Sequence, residues 1–255
     1  MNIENWNELT DEQKNTAELQ IQQLKKVENK ETIDFFENNK YLIVKNVVDK
    51  NMCDFLYQYI KNEAVRADYI DNLYGENNYD YFIYGNFYDI QSTGDFSRYG
   101  DLVFDTLTES IRNTLSNKIG KKLMTTYSYH RLYTTGSELK KHIDRKSCDV
   151  SGTLCIGYDV SNLENKNSNW PMFIEDANKN QTPVYLNPGD VVLYKGAELT
   201  HWREPFEGKN HAQVFLHYAE DIEKNNIFKN DGRPCFGLGS NFRSEEFNSV
   251  SQYGE

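Results

Sequence analysis

The hydrophobic pattern of this chain changes period near residue 120. On the N-terminal side, apolar residues recur at intervals of three and four, the spacing of a helix with one buried face. Val103, Phe104, Leu107, Ile111 and Leu115 give that rhythm over 102–119. Met52, Phe55, Leu56 and Ile60 give it after Asp49, a residue type whose carboxylate caps helix starts. Tyr41-Leu42-Ile43-Val44, followed by Val47-Val48, is rich in β-branched residues and reads as a strand. Residues 1–30 are polar, with Leu9, Leu19, Ile21 and Leu24 as sparse apolar points. Thr10-Asp11-Glu12-Gln13 has the form of a helix start, so an N-terminal helix is expected, loosely attached.

Beyond residue 120 the period becomes two. Eight short strands are expected, at about 122–133, 139–144, 150–159, 170–174, 183–187, 190–194, 199–204 and 211–218. Turn residues separate them, as in Thr134-Thr135-Gly136, Asn187-Pro188-Gly189-Asp190 and Phe206-Glu207-Gly208-Lys209-Asn210. This spacing suggests a mainly β chain with flanking helices (α+β) around a double-sheet jelly roll, the cupin architecture. One domain over 1–255 is expected: helical support over about 1–120, the jelly-roll core over about 121–220 and a polar tail over about 221–255 that wraps the outside. The stretch 70–96 is rich in Tyr, Asn, Asp and Gly without a clear period. Long structured connections are usually functional, so a substrate lid and a packed aromatic wall both stay open.

Composition narrows the classes. With 18 Tyr and 14 Phe, burial need not rest on aliphatic residues. A formal charge of -11 argues against a nucleic-acid grip, which needs a basic face. No apolar run approaches the ~18–20 residues of a membrane span. Cys53, Cys148, Cys155 and Cys235 have no metal-finger spacing and no secretory signal precedes them, so reduced thiols in a cytoplasmic protein are expected.

The candidate chemistry lies in Lys140-Lys141-His142-Ile143-Asp144. On an extended segment, residues two apart point to the same face. His142 and Asp144 then form two-thirds of a 2-His-1-carboxylate facial triad, the ligand set of non-haem Fe(II) oxygenases. His201, within Leu199-Thr200-His201-Trp202-Arg203-Glu204, is the candidate third ligand. A His-x-Asp alone is more often a solvated surface pair; here its place after a Tyr-x-x-Gly turn, and a His beyond a Pro-Gly-Asp turn, form a more specific ordered set.

That set resembles the Fe(II)/2-oxoglutarate-dependent oxygenases, in the branch similar to prolyl 4-hydroxylases. The likeness runs from Tyr127 to Gly136, through His142-Ile143-Asp144, Leu154 to Tyr158, Trp170-Pro171-Met172-Phe173 and Asn187 to Tyr194, to His201 and His211 to Tyr218. The resemblance implies that His142, Asp144 and His201 hold Fe(II). It implies 2-oxoglutarate and O2 as co-substrates, with ascorbate possible as a supporting reductant, and release of succinate and CO2. Tyr133 matches the tyrosine whose hydroxyl reaches the far carboxylate of 2-oxoglutarate, and Tyr158 a second tyrosine at that end; ordinary core tyrosines are the alternative.

One departure matters. The family places a Lys or Arg nine or ten residues past the distal His, where this chain has Asn210 and His211. A desolvated carboxylate without a cation is costly. Protonated His211 with Gln213 is one substitute, and Arg131, on the same face as Tyr133, is another; Lys209 and Arg203 are expected to point outward. For the substrate, Arg145 and Lys146 sit at the pocket mouth, either as carboxylate binders or as solvated charges, and Tyr129 and Trp170 are candidates for an aromatic wall. The expected partner is a small amino-acid-derived metabolite, with no nucleic acid and no membrane. Its reaction is C–H hydroxylation, desaturation or cyclisation, the latter as in kainoid synthases. A peptidyl-prolyl hydroxylase and a non-catalytic jelly-roll binding module remain the alternatives.

Overall fold

Two antiparallel sheets face each other in the computed structural model, which describes residues 10–76, 78–164, 170–176 and 179–251. Residues 1–9 and 252–255, the ends of the expected support and tail, lie outside the described residues. The larger sheet contains β1 (Tyr41–Val44), β2 (Phe96–Tyr99), β3 (Leu123–Thr134), β5 (Val150–Asp159), β8 (Val191–Tyr194) and β10 (Asn210–Glu220), in the order β1-β8-β5-β10-β3-β2. The smaller sheet runs β4-β9-β6-β7, from β4 (Leu139–His142), β9 (Thr200–Arg203), β6 (Met172–Glu175) and β7 (Gln181–Val184).

Period-two alternation explains how one strand serves two cores. Val191 and Leu193 of β8 join a cluster under the helices with Leu154, Val214 and Leu216. Val192 and Tyr194 point the other way, to Met172 and Ile174 of the smaller sheet and to Leu199 just before β9. On β10 the same rule sends Ala212, Val214, Leu216 and Tyr218 to the helices and leaves His211, Gln213, Phe215 and His217 facing the space between the sheets. That polar row is what makes the interior chemically useful.

Three helices cover the outer face of the larger sheet: α1 (Asp11–Asn39), α2 (Lys50–Tyr74) and α4 (Leu102–Ile119). The side chain of Asp49 caps α2 by accepting from the Met52 N–H, and Asp101 caps α4 from Val103 and Phe104. Gly120 ends α4 in the left-handed region at φ 68°, where a Cβ would also stand 2.9 Å from Ile33 of α1. Glu63 of α2 reaches through to His130 of β3 at 3.1 Å and to Arg98 of β2, so that histidine is structural.

All eight strands expected beyond residue 120 are present, β7 displaced toward its N-terminus. Several expectations need correction. Helix α1 is not loosely attached along its length, because Phe36 is buried in the main core. Met52 and Phe55 are exposed, and Cys53, Leu56 and Ile60 carry the buried face of α2. Edge strand β2 was unexpected: Phe-Ser-Arg-Tyr has no apolar alternation, and its polar residues are satisfied by distant partners. The tail does more than wrap the outside, since Asp231, Arg233 and Phe247 are buried. The other described α-helices are α3 (Tyr81–Tyr84) and α5 (Glu245–Ser251), and 3-10 helices lie at Lys146–Cys148, Glu223–Gly232 and Ser240–Phe242. No described helix is long and apolar enough to cross a membrane.

Leu216 is fully buried on the helix side of β10, against the backbone of Gly152. Leu216→Ala should therefore cost about 2–5 kcal/mol, read as a lower urea midpoint. Metal affinity should be unchanged, because the side chain faces away from the space between the sheets.

Candidate metal centre and its cavity

His142 ends β4 and stands directly across from His201 of β9 in the sheet register. Their rings lie 4.3 Å apart. Asp144 follows on a turn pinned by its own N–H, which donates to the Gly196 carbonyl at 2.9 Å. Its Oδ1 is 3.6 Å from His142 Nε2 and 3.5 Å from His201 Nε2. The three donor atoms thus converge within 4.8 Å of one another. Each imidazole is oriented through its other nitrogen: His142 Nδ1–H donates to the Lys140 carbonyl at 2.7 Å, and His201 Nδ1–H to the Leu199 carbonyl at 3.0 Å. A carbonyl can only accept, so in both rings Nε2 is the nitrogen turned to the Asp144 side, with the Tyr194 hydroxyl 3.5 Å from that of His201.

The carboxylate is held just as firmly. Ser151 Oγ–H donates to Asp144 Oδ2 at 2.5 Å and sits 3.1 Å from His217 Nδ1. A Cβ on Gly196 would stand 2.3 Å from Asp144 Oδ2 and 2.4 Å from Ser151 Oγ. Burial pushes the Asp144 carboxyl up, but His201 and His142 outweigh it and keep the group well below the usual carboxylate range. A second grouping, Asp144 with Cys148 and His217, shares the aspartate. Burial pushes the Cys148 thiol up, and its sulfur already has the Tyr127 hydroxyl as a partner at 3.3 Å. The two histidines with Asp144 are the better metal site.

The donors open onto a cavity of about 550 Å³. Tyr194, Phe215 and Leu139 line it as apolar walls, and Tyr127, Tyr129, Arg131, Arg145 and His217 as polar ones. Asp89, Ile90 and Gln91 close one side, so 70–96 does reach the site, though through these three residues and not through its tyrosines. Arg131 is fully buried; Nη1 donates to the Tyr133 hydroxyl at 3.1 Å and Nη2 to Asp89 Oδ2 at 2.5 Å. Tyr129 also donates to that Asp89 oxygen. Burial disfavours the guanidinium charge, but Tyr133, Tyr129 and Asp89 outweigh it.

Further along the strands the interior is packed. Tyr133, Trp170, Phe206 and Phe215 form one cluster, with Tyr158 stacked on His211 at 5.3 Å. Tyr133, Tyr158, His211, Gln213 and Trp170 are absent from the cavity wall. The protonated His211 expected from the sequence is corrected. Burial, with Arg203 nearby, holds this imidazole well below its usual range. Its Nδ1 is 3.3 Å from Gln213 Nε2, a donor, so Nδ1 must accept. Arg203 is a second correction, since it points inward. It donates to the Trp170 carbonyl at 2.8 Å and to Gln213 Oε1 at 2.9 Å, and its Nε has no partner. Among the described residues no carboxylate pairs with it. Lys209 lies half-exposed, 3.9 Å from Asp159. Arg145 lines the cavity, whereas Lys146 is exposed and does not. Asp89, Ser151, His217 and Asp231 were missed by sequence reasoning; only His217 carried a signal, its parity on β10.

Gly196→Ala should fold but bind Ni(II) or Fe(II) about 10–100-fold more weakly in calorimetry, because the new methyl displaces Asp144. Unchanged affinity would remove the Gly196 cradle from the site.

No protein-family model matches the chain, and no curated protein matches it in sequence. Among solved structures it is similar to a prolyl-4-hydroxylase of Pseudomonas putida, at 12% identity, covering 76% of this chain and 100% of that one with a TM-score of 0.54. It is similar to a prolyl hydroxylase of Trichoplax adhaerens solved with a hypoxia-inducible-factor peptide fragment, at 13% identity, covering 82% and 95%, TM-score 0.53. HygX of Streptomyces hygroscopicus, solved with nickel, 2-oxoglutarate and hygromycin B, gives 12%, 75% and 87%, TM-score 0.52. At these identities the likeness is one of fold: the chain has the jelly-roll core found in the 2-oxoglutarate- and Fe(II)-dependent oxygenases.

Proposed function

We propose that this chain is an Fe(II)- and 2-oxoglutarate-dependent oxygenase acting on a C–H bond of a small amino-acid-derived metabolite, by hydroxylation, desaturation or cyclisation. The observation that carries the reading is the convergence of His142 Nε2, His201 Nε2 and Asp144 Oδ1 on the mouth of a cavity. One carboxylate oxygen and two imidazole nitrogens suit a divalent iron and leave part of its coordination sphere to other ligands. With iron, 2-oxoglutarate and O2 bound, such a centre supplies oxidation of a substrate C–H bond as the oxo acid is split to succinate and CO2. The protein's share is placement. Lys140 and Leu199 carbonyls fix the imidazoles, Ser151 and Gly196 fix the carboxylate, and Tyr194 and Phe215 keep the inner wall apolar.

The far carboxylate of 2-oxoglutarate goes to Arg131, the cavity-lining guanidinium that also holds the Tyr133 hydroxyl. Arg131 is the guanidinium that lines this cavity on β3, on the side away from Arg145. A cavity of about 550 Å³ suits a small molecule, although two of the structural neighbours are prolyl hydroxylases. The four cysteines are unbonded, which fits a reducing compartment such as the cytoplasm.

Anaerobic calorimetry on metal-saturated protein tests the anchor. Arg131→Ala should weaken 2-oxoglutarate about tenfold or more, since a charged hydrogen bond contributes roughly 1.5–3 kcal/mol. His211→Ala should have little effect. A protonated His211 anchor would lose affinity as pH rises through its pKa; an imidazole held neutral gives none of that slope, so affinity should be flat between about pH 6 and 8. Uncoupled succinate formation should vanish in Asp144→Ala. Weakening by His211→Ala with a falling pH profile would return the anchor to His211.

A further inference from the structure

The C-terminal segment places a buried acid behind the cavity-lining Arg145, and its surroundings do not balance in charge. Asp231 is fully buried. Its backbone has φ 59°, between Asn230 at 51° and Gly232 at 73°, three consecutive left-handed residues that turn the carboxylate inward. Oδ2 accepts from Arg145 Nη2 at 2.7 Å, from the Tyr99 hydroxyl at 2.5 Å and from Arg243 Nε at 3.1 Å, while Oδ1 has no partner. Two guanidiniums therefore share one carboxylate. Arg145 is the one that faces the cavity, next in sequence to Asp144, with its guanidinium 4.5 Å from the Tyr127 ring centroid. Tyr127 in turn stacks on His217 at 4.4 Å. The remaining N–H groups of Arg145 have no partner among the described residues.

Resting on the oxygenase reading, we infer that Arg145, held in place by Asp231 of the tail, is the receptor for a free carboxylate on the primary substrate. Asp231 fixes one edge of the guanidinium and Tyr127 its face, so the other edge is presented without rotamer freedom; that is what a planar carboxylate recognises bidentately. The unbalanced positive charge of Arg145 and Arg243 is met when the substrate acid enters. Arg131 differs in this respect, because Asp89 pairs it singly. The two guanidiniums thus divide the acids, 2-oxoglutarate to Arg131 and substrate to Arg145.

The test uses full-length protein loaded with Ni(II) and 2-oxoglutarate, titrated calorimetrically with free L-amino acids and, in parallel, with their carboxamides. At least one acid should bind about tenfold or more tightly than its own amide. Arg145→Gln should erase that preference, Arg145→Lys should restore it in part, and neither should alter 2-oxoglutarate affinity. A panel in which no acid outbinds its amide overturns the inference, as does an acid preference that survives Arg145→Gln. If Arg145→Gln weakens 2-oxoglutarate instead, Arg145 is the co-substrate anchor and the inference also fails. Failure of the wild-type protein to bind 2-oxoglutarate at all would instead mark failure of the oxygenase reading.

Discussion

The cross-strand contact between His142 and His201 is the constraint on which the rest of the molecule depends. Directly opposed residues on antiparallel strands bring side chains within about 5 Å, and here both rings must also present the same nitrogen. The β4–β9 register provides the distance, and the carbonyls of Lys140 and Leu199 provide the orientation. The carboxylate is then drawn in from the turn beyond β4 by the Gly196 carbonyl and Ser151. A one-residue slip of β9 would send His201 to the opposite face and take Arg203 with it.

The larger sheet and its helices can be understood as what makes that contact affordable in a dry interior. Charges between the sheets are expensive unless matched. The elements that match them come from outside the jelly roll. Asp89, from the segment before β2, answers Arg131 across 42 residues of sequence, and Asp231, from the tail, answers Arg145 across 86. The peripheral segments thus do electrostatic work at the site as well as covering it. Asp231 is shared with Arg243, so its answer to Arg145 is partial. Arg203, with a carbonyl and an amide for company and no acid among the described residues, is a further uncompensated charge inside.

Much of this was legible in the sequence because it is local or periodic. The convergence of His142, Asp144 and His201 follows from a His-x-Asp at a strand end and a His past a Pro-Gly-Asp turn. The strands follow from alternation, and Asp49 marked its helix start. The same alternation, applied from His201, places Arg203 two residues on and hence facing inward, against the outward direction its charge suggests. His211 was chosen by its slot relative to the distal histidine, and burial beside Arg203 defeats that choice. Asp89 and Asp231 could not be found from local pattern, since their roles exist only through tertiary pairing. Strand β2 escaped for a related reason: its Arg98 is compensated by Glu63 of α2, not by a neighbour in sequence.

The central claim is that one iron and one 2-oxo acid share this cavity, held by His142, Asp144 and His201 on one side and Arg131 on the other. A crystal structure of the protein soaked anaerobically with Fe(II) and 2-oxoglutarate tests it most directly. The account predicts metal density bonded to the two Nε2 atoms and to Asp144, with the far carboxylate of the oxo acid against Arg131. Metal seated instead between Cys148 and His217, or an oxo acid bound away from the metal, would contradict it.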